Sequence, residues 1–254
     1  MRYFTAEELK SKNRENAHSI LEKCNGHMVK LNFGIKVFQE WRQRIFNERK
    51  DIRTLDLGTA SGGFSAQLKQ LGYDNLYGVD IDNYLAPENK SLYQEFKTMD
   101  LSHDKILWPD NYFQIVIGWC ILPHLENPFH CLREIYRVLD KGGLFIFSAP
   151  HLTSKPAIDY FIKHKDFGSY RATNNHLVLF TPAIIKKAVL KYFDLLEINY
   201  SAVRPKIFQI QKGGFKAKLR ELIYKIAEKY SPSLKKWLGH RWAYDAIYIV
   251  QKTK

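Results

Sequence analysis

The stretch LDLGTASGG, Leu55 to Gly63, decides the fold. It reads as the end of a buried strand, Thr54 to Leu57, that runs into a turn of small residues and then into a helix beginning near Phe64. Small residues let a backbone approach a ligand closely, and the unpaired amides of a helix start favour polar or anionic groups. A nucleotide-like cofactor belongs at such a turn. About twenty residues on, LYGVDID puts Asp80 at the end of the next strand, where a carboxylate can accept hydrogen bonds from both hydroxyls of a ribose.

Outward from this pair, short apolar runs ending in turn residues alternate with helical stretches. The runs are Asn75 to Val79, Gln114 to Gly118 and Leu144 to Ser148, and two later ones, Leu195 to Val203 and Tyr244 to Gln251, also read as strands. Strands alternating with helices imply a parallel sheet covered on both faces, because right-handed crossovers lay each helix on a sheet face. The class is α/β. Ahead of the first strand, Leu31, Ile35, Phe38, Trp41 and Ile45 recur at helical steps, and Thr5 with Glu8 forms a capping-box pattern. Residues 1–50 are therefore expected to be an N-terminal helical cap. Residues 51–203 and 243–254 are expected to form the core sheet, and 204–242 a basic helical insertion, all within a single domain. In that insertion KGGFKAKLRELIYKIAEKY places Phe215, Leu219, Leu222, Ile223, Ile226 and Tyr230 on one face and lysines and arginines on the other.

Composition narrows the class further. A chain of 254 residues with 45% apolar and 14% aromatic content supports a large core, which excludes disordered and low-complexity classes. The longest nearly uncharged apolar run, Ile115 to Pro123, is far short of the roughly 18 residues a spanning helix needs. The first residues lack the apolar stretch of a secretory signal, and Cys24, Cys120 and Cys131 show no C-x-x-C spacing. Neither a disulfide framework nor a zinc site is expected, and a reduced, cytoplasmic chain is. Of the net charge of +13, residues 204–254 carry +10 and the preceding 203 residues only +3. Such a patch attracts phosphates of nucleic acid, lipid headgroups or a phosphorylated substrate, and it serves solubility equally well.

Two ligand families use a strand, a small-residue turn and a ribose acid. The dinucleotide pattern G-x-G-x-x-G is met only as G-x-A-x-x-G by Gly58, Ala60 and Gly63. Over roughly residues 50–200 the sequence instead resembles the class I S-adenosylmethionine (SAM) dependent methyltransferases of the small-molecule branch. LDLGTASGG matches their first motif with Ala60 at the usual middle glycine, YGVDID matches the ribose-binding acid, and FKTMDLS supplies Asp100 and Leu101. FQIVIGWCILPHLENPFHCLREIYRVLDKGGLFIFSAPH follows the branch's F-D-V-V…V-L-E-H…R-E-x-x-R-V-L-K-P-G-G stretch. HLVLFTPAIIKKAVLKYFDLLEINY resembles its ending, with Thr181 as N-cap and Pro182 in the first turn.

The resemblance implies a doubly wound, Rossmann-like sheet of seven mostly parallel strands with an antiparallel last strand, and SAM as cofactor. It implies that Asp56, Gly58, Ala60 and Gly62 line the methionine end of SAM, that Asp80 holds the ribose, and that Ile81 packs on the adenine. It further implies that Asp100 and Leu101 meet the adenine's polar edge, while Gly118 and Trp119 close the pocket beside the methyl group. A hydroxyl acceptor needs a base, and His124, His151 and His176 are candidates because imidazole titrates near neutral pH. His124 follows the run Gln114 to Gly118 and His151 the run Leu144 to Ser148, both at the expected cofactor edge, and His124 ranks first. Pro123 stands where some quinone-modifying relatives carry a metal-binding glutamate, so no metal is expected.

The expected activity is SAM-dependent methylation, at oxygen, of a small-molecule, saccharide or lipid-linked acceptor. Residues 212–240 are a candidate contact with an anionic membrane. RNA methylation, a non-catalytic binding protein and a NAD-dependent enzyme are the alternatives; an N/D-P-P-Y tetrapeptide at 118–121 and a proline ahead of Cys120, which nucleic-acid methylating enzymes would call for, are missing.

Overall fold

The computed structural model describes residues 24–47, 49, 51–171, 174–200, 237 and 240–253, with residues 7 and 11. The Thr5–Glu8 capping pattern and the amphipathic stretch at 212–230 lie outside the described residues. The described chain forms a seven-stranded sheet in the order β3-β2-β1-β4-β5-β7-β6. These strands are β1 (Thr54–Leu57), β2 (Leu76–Asp80), β3 (Glu95–Thr98), β4 (Phe113–Trp119), β5 (Leu139–Pro150), β6 (Asp194–Tyr200) and β7 (Asp245–Gln251). Neighbours from β3 to β5 are parallel, whereas β7 runs antiparallel between β5 and β6. The doubly wound α/β sheet with an antiparallel last strand is thus present.

Side-chain alternation assigns the two faces. Leu55, Leu57, Val116, Phe145 and Phe147 point to one side and pack with Leu132 and Ile135 of α3 (Pro128–Val138) and with Ile185 and Val189. Ile115, Ile117, Leu144 and Ile146 point to the other, against Phe38 and Trp41 of α1 (Cys24–Phe46) and Phe64 and Leu68 of α2 (Gly63–Gln70). Both faces being covered is why these strands read as continuous apolar runs.

Helix starts follow their caps. Asn127 caps α3, accepting from the His130 amide at 3.1 Å with Pro128 in the first turn. Ser154 caps α4 (Lys155–His164), and Thr181 caps α5 (Pro182–Ile184) as expected, its hydroxyl accepting from the Ile184 amide. Beyond α5 the chain continues as a π-turn, Ile185–Val189, which the sequence did not announce. The expected strands are all present within a few residues, and the part of the sixth run at 201–203 lies outside the described residues. β3 is an addition: its side chains are half-exposed at the sheet edge, so no apolar run marks it. Among the described residues no helix is long and apolar enough to cross a membrane.

The parallel strands β1, β2, β4 and β5 end on one edge of the sheet, where α/β proteins bind ligands. That edge is only as rigid as the core beneath it. Ile117 is fully buried in β4, so Ile117→Ala is expected to lower stability by about 2–5 kcal/mol in a denaturant titration.

Candidate functional site

The turn after β1 is a cradle held in a left-handed backbone. Gly58, Ala60 and Gly62 have φ of 71°, 47° and 81°. At Gly58 a Cβ would come within 2.7 Å of Ile121 Cδ1, so nothing larger than hydrogen fits without displacing Ile121. The Gly58 amide donates to Val79 O at 2.8 Å, and Asn89 Nδ2 donates to Ser61 O at 2.7 Å, which closes the far side. Ala60 pays for its left-handed conformation, about 1–2 kcal/mol for a residue with a Cβ, with a bond to Asp80: its amide donates to Oδ2 at 2.8 Å. The Ile81 amide donates to the other oxygen, Oδ1, at 2.7 Å.

Two acids sit under this turn. Burial pushes both Asp56 and Asp80 up to about 6, against the hydrogen bonds that each accepts. Asp80 keeps a further lone pair on each oxygen. Asp56 receives the Ser65 hydroxyl at 2.7 Å and the Tyr93 hydroxyl at 3.1 Å, both on Oδ2, and so ties the end of β1 to α2. Tyr93 was not foreseen from the sequence. Since both folded-state values lie above 3.8, ionising these acids opposes folding. Their contribution to stability is complete at low pH and is lost as the pH rises through about 6.

The structure brings the other expected cofactor residues to the same edge. The Met99 amide donates to Asp80 O at 2.9 Å, which sets Asp100 and Leu101 beside the end of β2. Asp100 closes its own turn, accepting from the Ser102 amide at 2.8 Å and contacting His103 Nδ1 at 3.1 Å; Leu101 is buried in the core. Gly118 lies against Ile121, and Trp119 packs on Phe64 with ring centroids 4.9 Å apart. A Cβ on Gly34 would stand 3.0 Å from the same indole, so α1 is fitted over Trp119. Trp119 Nε1 and Thr59 Oγ1 are buried with no hydrogen-bond partner among the described residues.

Past Trp119 the chain turns sharply, with Cys120 at φ 56°, and enters a short 3-10 segment, Leu122–His124. The segment 174–178 crosses over it: the amides of Leu177 and Val178 donate to Pro123 O at 2.7 and 3.2 Å. This crossing brings His176 against His124, ring centroids 4.3 Å apart, and puts His176 Nε2 3.6 Å from Cys120 Sγ. His124 Nδ1 donates to Asn175 O at 3.2 Å, which leaves its lone pair on Nε2. Burial, then the neighbouring His176, pushes His124 down to about 4, so the ring is neutral at pH 7. His151 sits elsewhere, packed with Tyr200 and His240; its Nε2 donates to His240 O at 2.8 Å and burial lowers its pKa.

These residues fit SAM: a turn without side chains for close approach, a carboxylate with spare lone pairs for a diol, and buried polar atoms awaiting partners. Asp80 and the Gly58–Gly62 turn would hold it, and it would supply an electrophilic methyl group. Asp80 in its charged form is the better acceptor for hydroxyl groups. Affinity for S-adenosylhomocysteine, measured by calorimetry, is therefore expected to fall several-fold from pH 7.5 to 5, and Asp80→Asn should abolish that dependence. Gly58→Ala, strained by its φ and crowded by Ile121, is expected to weaken the same binding at least ten-fold.

The family described as a methyltransferase domain matches residues 55–147. No curated protein matches the sequence. Among solved structures, the 4+2 cyclase SpnF is similar at TM-score 0.56 and 18% identity, over 85% of this chain and 80% of its own. A SAM-dependent methyltransferase from Archaeoglobus fulgidus is similar at TM-score 0.51 and 18% identity, over 85% of this chain and 94% of its own. Phosphoethanolamine N-methyltransferase 2 from Haemonchus contortus, in complex with phosphomonomethylethanolamine and S-adenosylhomocysteine, is similar at TM-score 0.53 and 17% identity. It is matched over 88% of this chain but only 53% of its own. At these identities the structures speak for the fold, and the domain match speaks for the cofactor turn that the fold presents. Sheet order, turn geometry and matched domain agree: residues 55–147 match a methyltransferase domain, and they lie in a sheet of the kind seen in SAM-dependent methyltransferases.

Proposed function

We propose that the protein methylates a hydroxyl oxygen of a small-molecule, saccharide or lipid-linked acceptor bound at the end of β4, and that His124 receives the acceptor's proton. The observation that carries this reading is the anchored His124 ring: Nδ1 is held by the Asn175 carbonyl, so Nε2 keeps a lone pair one turn beyond Trp119. A neutral imidazole fixed in one tautomer is what proton removal from a hydroxyl requires. His151 is the weaker candidate, because it is buried beside Tyr200 and tied to His240. The transfer itself forms an oxygen–methyl bond as the sulfonium carbon–sulfur bond breaks. Alignment in a dry site supplies much of the rate.

The bound phosphomonomethylethanolamine of the Haemonchus contortus structure supports a small polar acceptor on this fold. The +10 charge of residues 204–254 supports an anionic acceptor or an anionic membrane surface nearby. Flotation with anionic vesicles at low salt tests the membrane part, and failure to float removes it.

A panel of hydroxyl and amine acceptors, offered with radiolabelled SAM, tests the chemistry. Label is expected on hydroxyl acceptors, and His124→Ala is expected to lower the rate about 10²–10⁴-fold with S-adenosylhomocysteine affinity unchanged. Transfer to amines alone, at a rate the variant retains, would overturn the assignment.

A further inference from the structure

Cysteine spacing gave no reason to look for a metal, and Pro123 stands in place of a carboxylate. The fold changes the question by bringing together residues that are far apart in the chain. One ligating atom from each of Cys120, His124 and His176 lies within 4.8 Å of the other two. We infer that these three side chains form a zinc-binding site with one position open toward the acceptor.

Three features carry the inference. The donor set is a thiol and two imidazoles, which suits zinc or another borderline-soft cation and does not suit magnesium or calcium. Tetrahedral zinc, with bonds of about 2.0–2.3 Å, places its ligand atoms roughly 3.3–3.8 Å apart. Cys120 Sγ and His176 Nε2 already stand 3.6 Å apart, and the third ligating atom lies within 4.8 Å of both.

The second feature is the outer hydrogen bonds. Metal-bound histidines characteristically donate their other ring N–H to a carbonyl or carboxylate, which fixes the tautomer and the ring direction. Both rings here do so: His124 Nδ1 donates to Asn175 O at 3.2 Å, and His176 Nδ1 donates to Ser169 O at 2.5 Å. Each lone pair is thereby assigned to Nε2. The third feature is the backbone of Cys120, whose φ of 56° is costly for a residue with a Cβ. It turns the chain out of β4 so that the thiol meets a histidine 56 residues away.

Zinc uptake forms a sulfur–zinc bond and two nitrogen–zinc bonds and releases the thiol proton to solvent. Three protein ligands and an open fourth position are the arrangement of catalytic rather than structural zinc. A hydroxyl in that position would be acidified by the cation and would lose its proton to solvent, with His124 serving as a ligand instead of receiving the proton itself. That consequence rests on the acceptor being bound at the end of β4. Zinc binding rests on the three side chains alone.

The test separates the two. Protein stripped with a chelator is dialysed against zinc chloride, and bound metal is counted by mass spectrometry; cobalt chloride is added to a second sample for absorption spectroscopy. The expected result is one zinc per chain and a thiolate-to-cobalt charge-transfer band. Cys120→Ser should abolish the band, and His176→Ala should weaken zinc binding at least ten-fold. Cys131→Ala, at the buried cysteine of α3 outside the cluster, should change neither. S-adenosylhomocysteine binding by each variant reports that it is folded. No zinc retained by folded wild-type protein, or retention that Cys120→Ser and His176→Ala leave unaltered, would overturn the site even if hydroxyl acceptors are methylated. Stoichiometric zinc with no hydroxyl methylation would leave the site standing and overturn the oxygen chemistry.

Discussion

Two hydrogen bonds to one buried carboxylate hold the functional edge together. Asp80 takes the amide of Ala60 on one oxygen and the amide of Ile81 on the other, so a single side chain fastens the turn after β1 to the end of β2. Without those donors the charge would be buried and unpaired, a costly arrangement. Without the charge, Ala60 would have little to hold it in a left-handed conformation. Each defect is tolerable only because the other is present. Such mutual dependence is common where a backbone is strained for a ligand.

A second joint runs across the edge. Ile121 fills the space in front of both Gly58 and Gly118, so the turn after β1 and the turn after β4 are in contact through one side chain. The turn after β1 and the Cys120–His124–His176 group are therefore parts of one packed unit. On the opposite sheet face α1 reaches the same region through Gly34 and Trp119. Gly34, Gly58 and Gly118 mark places where another element comes close.

The parts of this arrangement that could be read in the sequence are those encoded locally. β1 was legible because its side chains are buried on both faces, and Asp80 because it stands at a strand end a fixed distance beyond a small-residue turn. The helix starts at Asn127, Ser154 and Thr181 carry ordinary capping chemistry, of which Thr181 was recognised. β3 was not legible, since an edge strand with half-exposed side chains has no apolar run. Tyr93 could not be tied to Asp56, nor Ile121 to Gly58, because both contacts are made only by folding. The cysteine–histidine group escaped for the same reason. Ligand spacing in a sequence reveals only sites built within one hairpin or helix, and here the link is a hydrogen bond from Leu177 back to Pro123.

The position of β7 bears on how the protein is made. Among the described residues β6 pairs with no strand except β7, and β7 lies between it and β5. During synthesis the parallel half of the sheet can assemble early, whereas β6 must wait, edge unsatisfied, until residues 245–251 have left the ribosome. An unpaired strand edge invites association with other chains, and contacts between distant segments form slowly. The interval between translating β6 and translating β7 is thus the period in which a nascent chain of this protein is most in need of a chaperone.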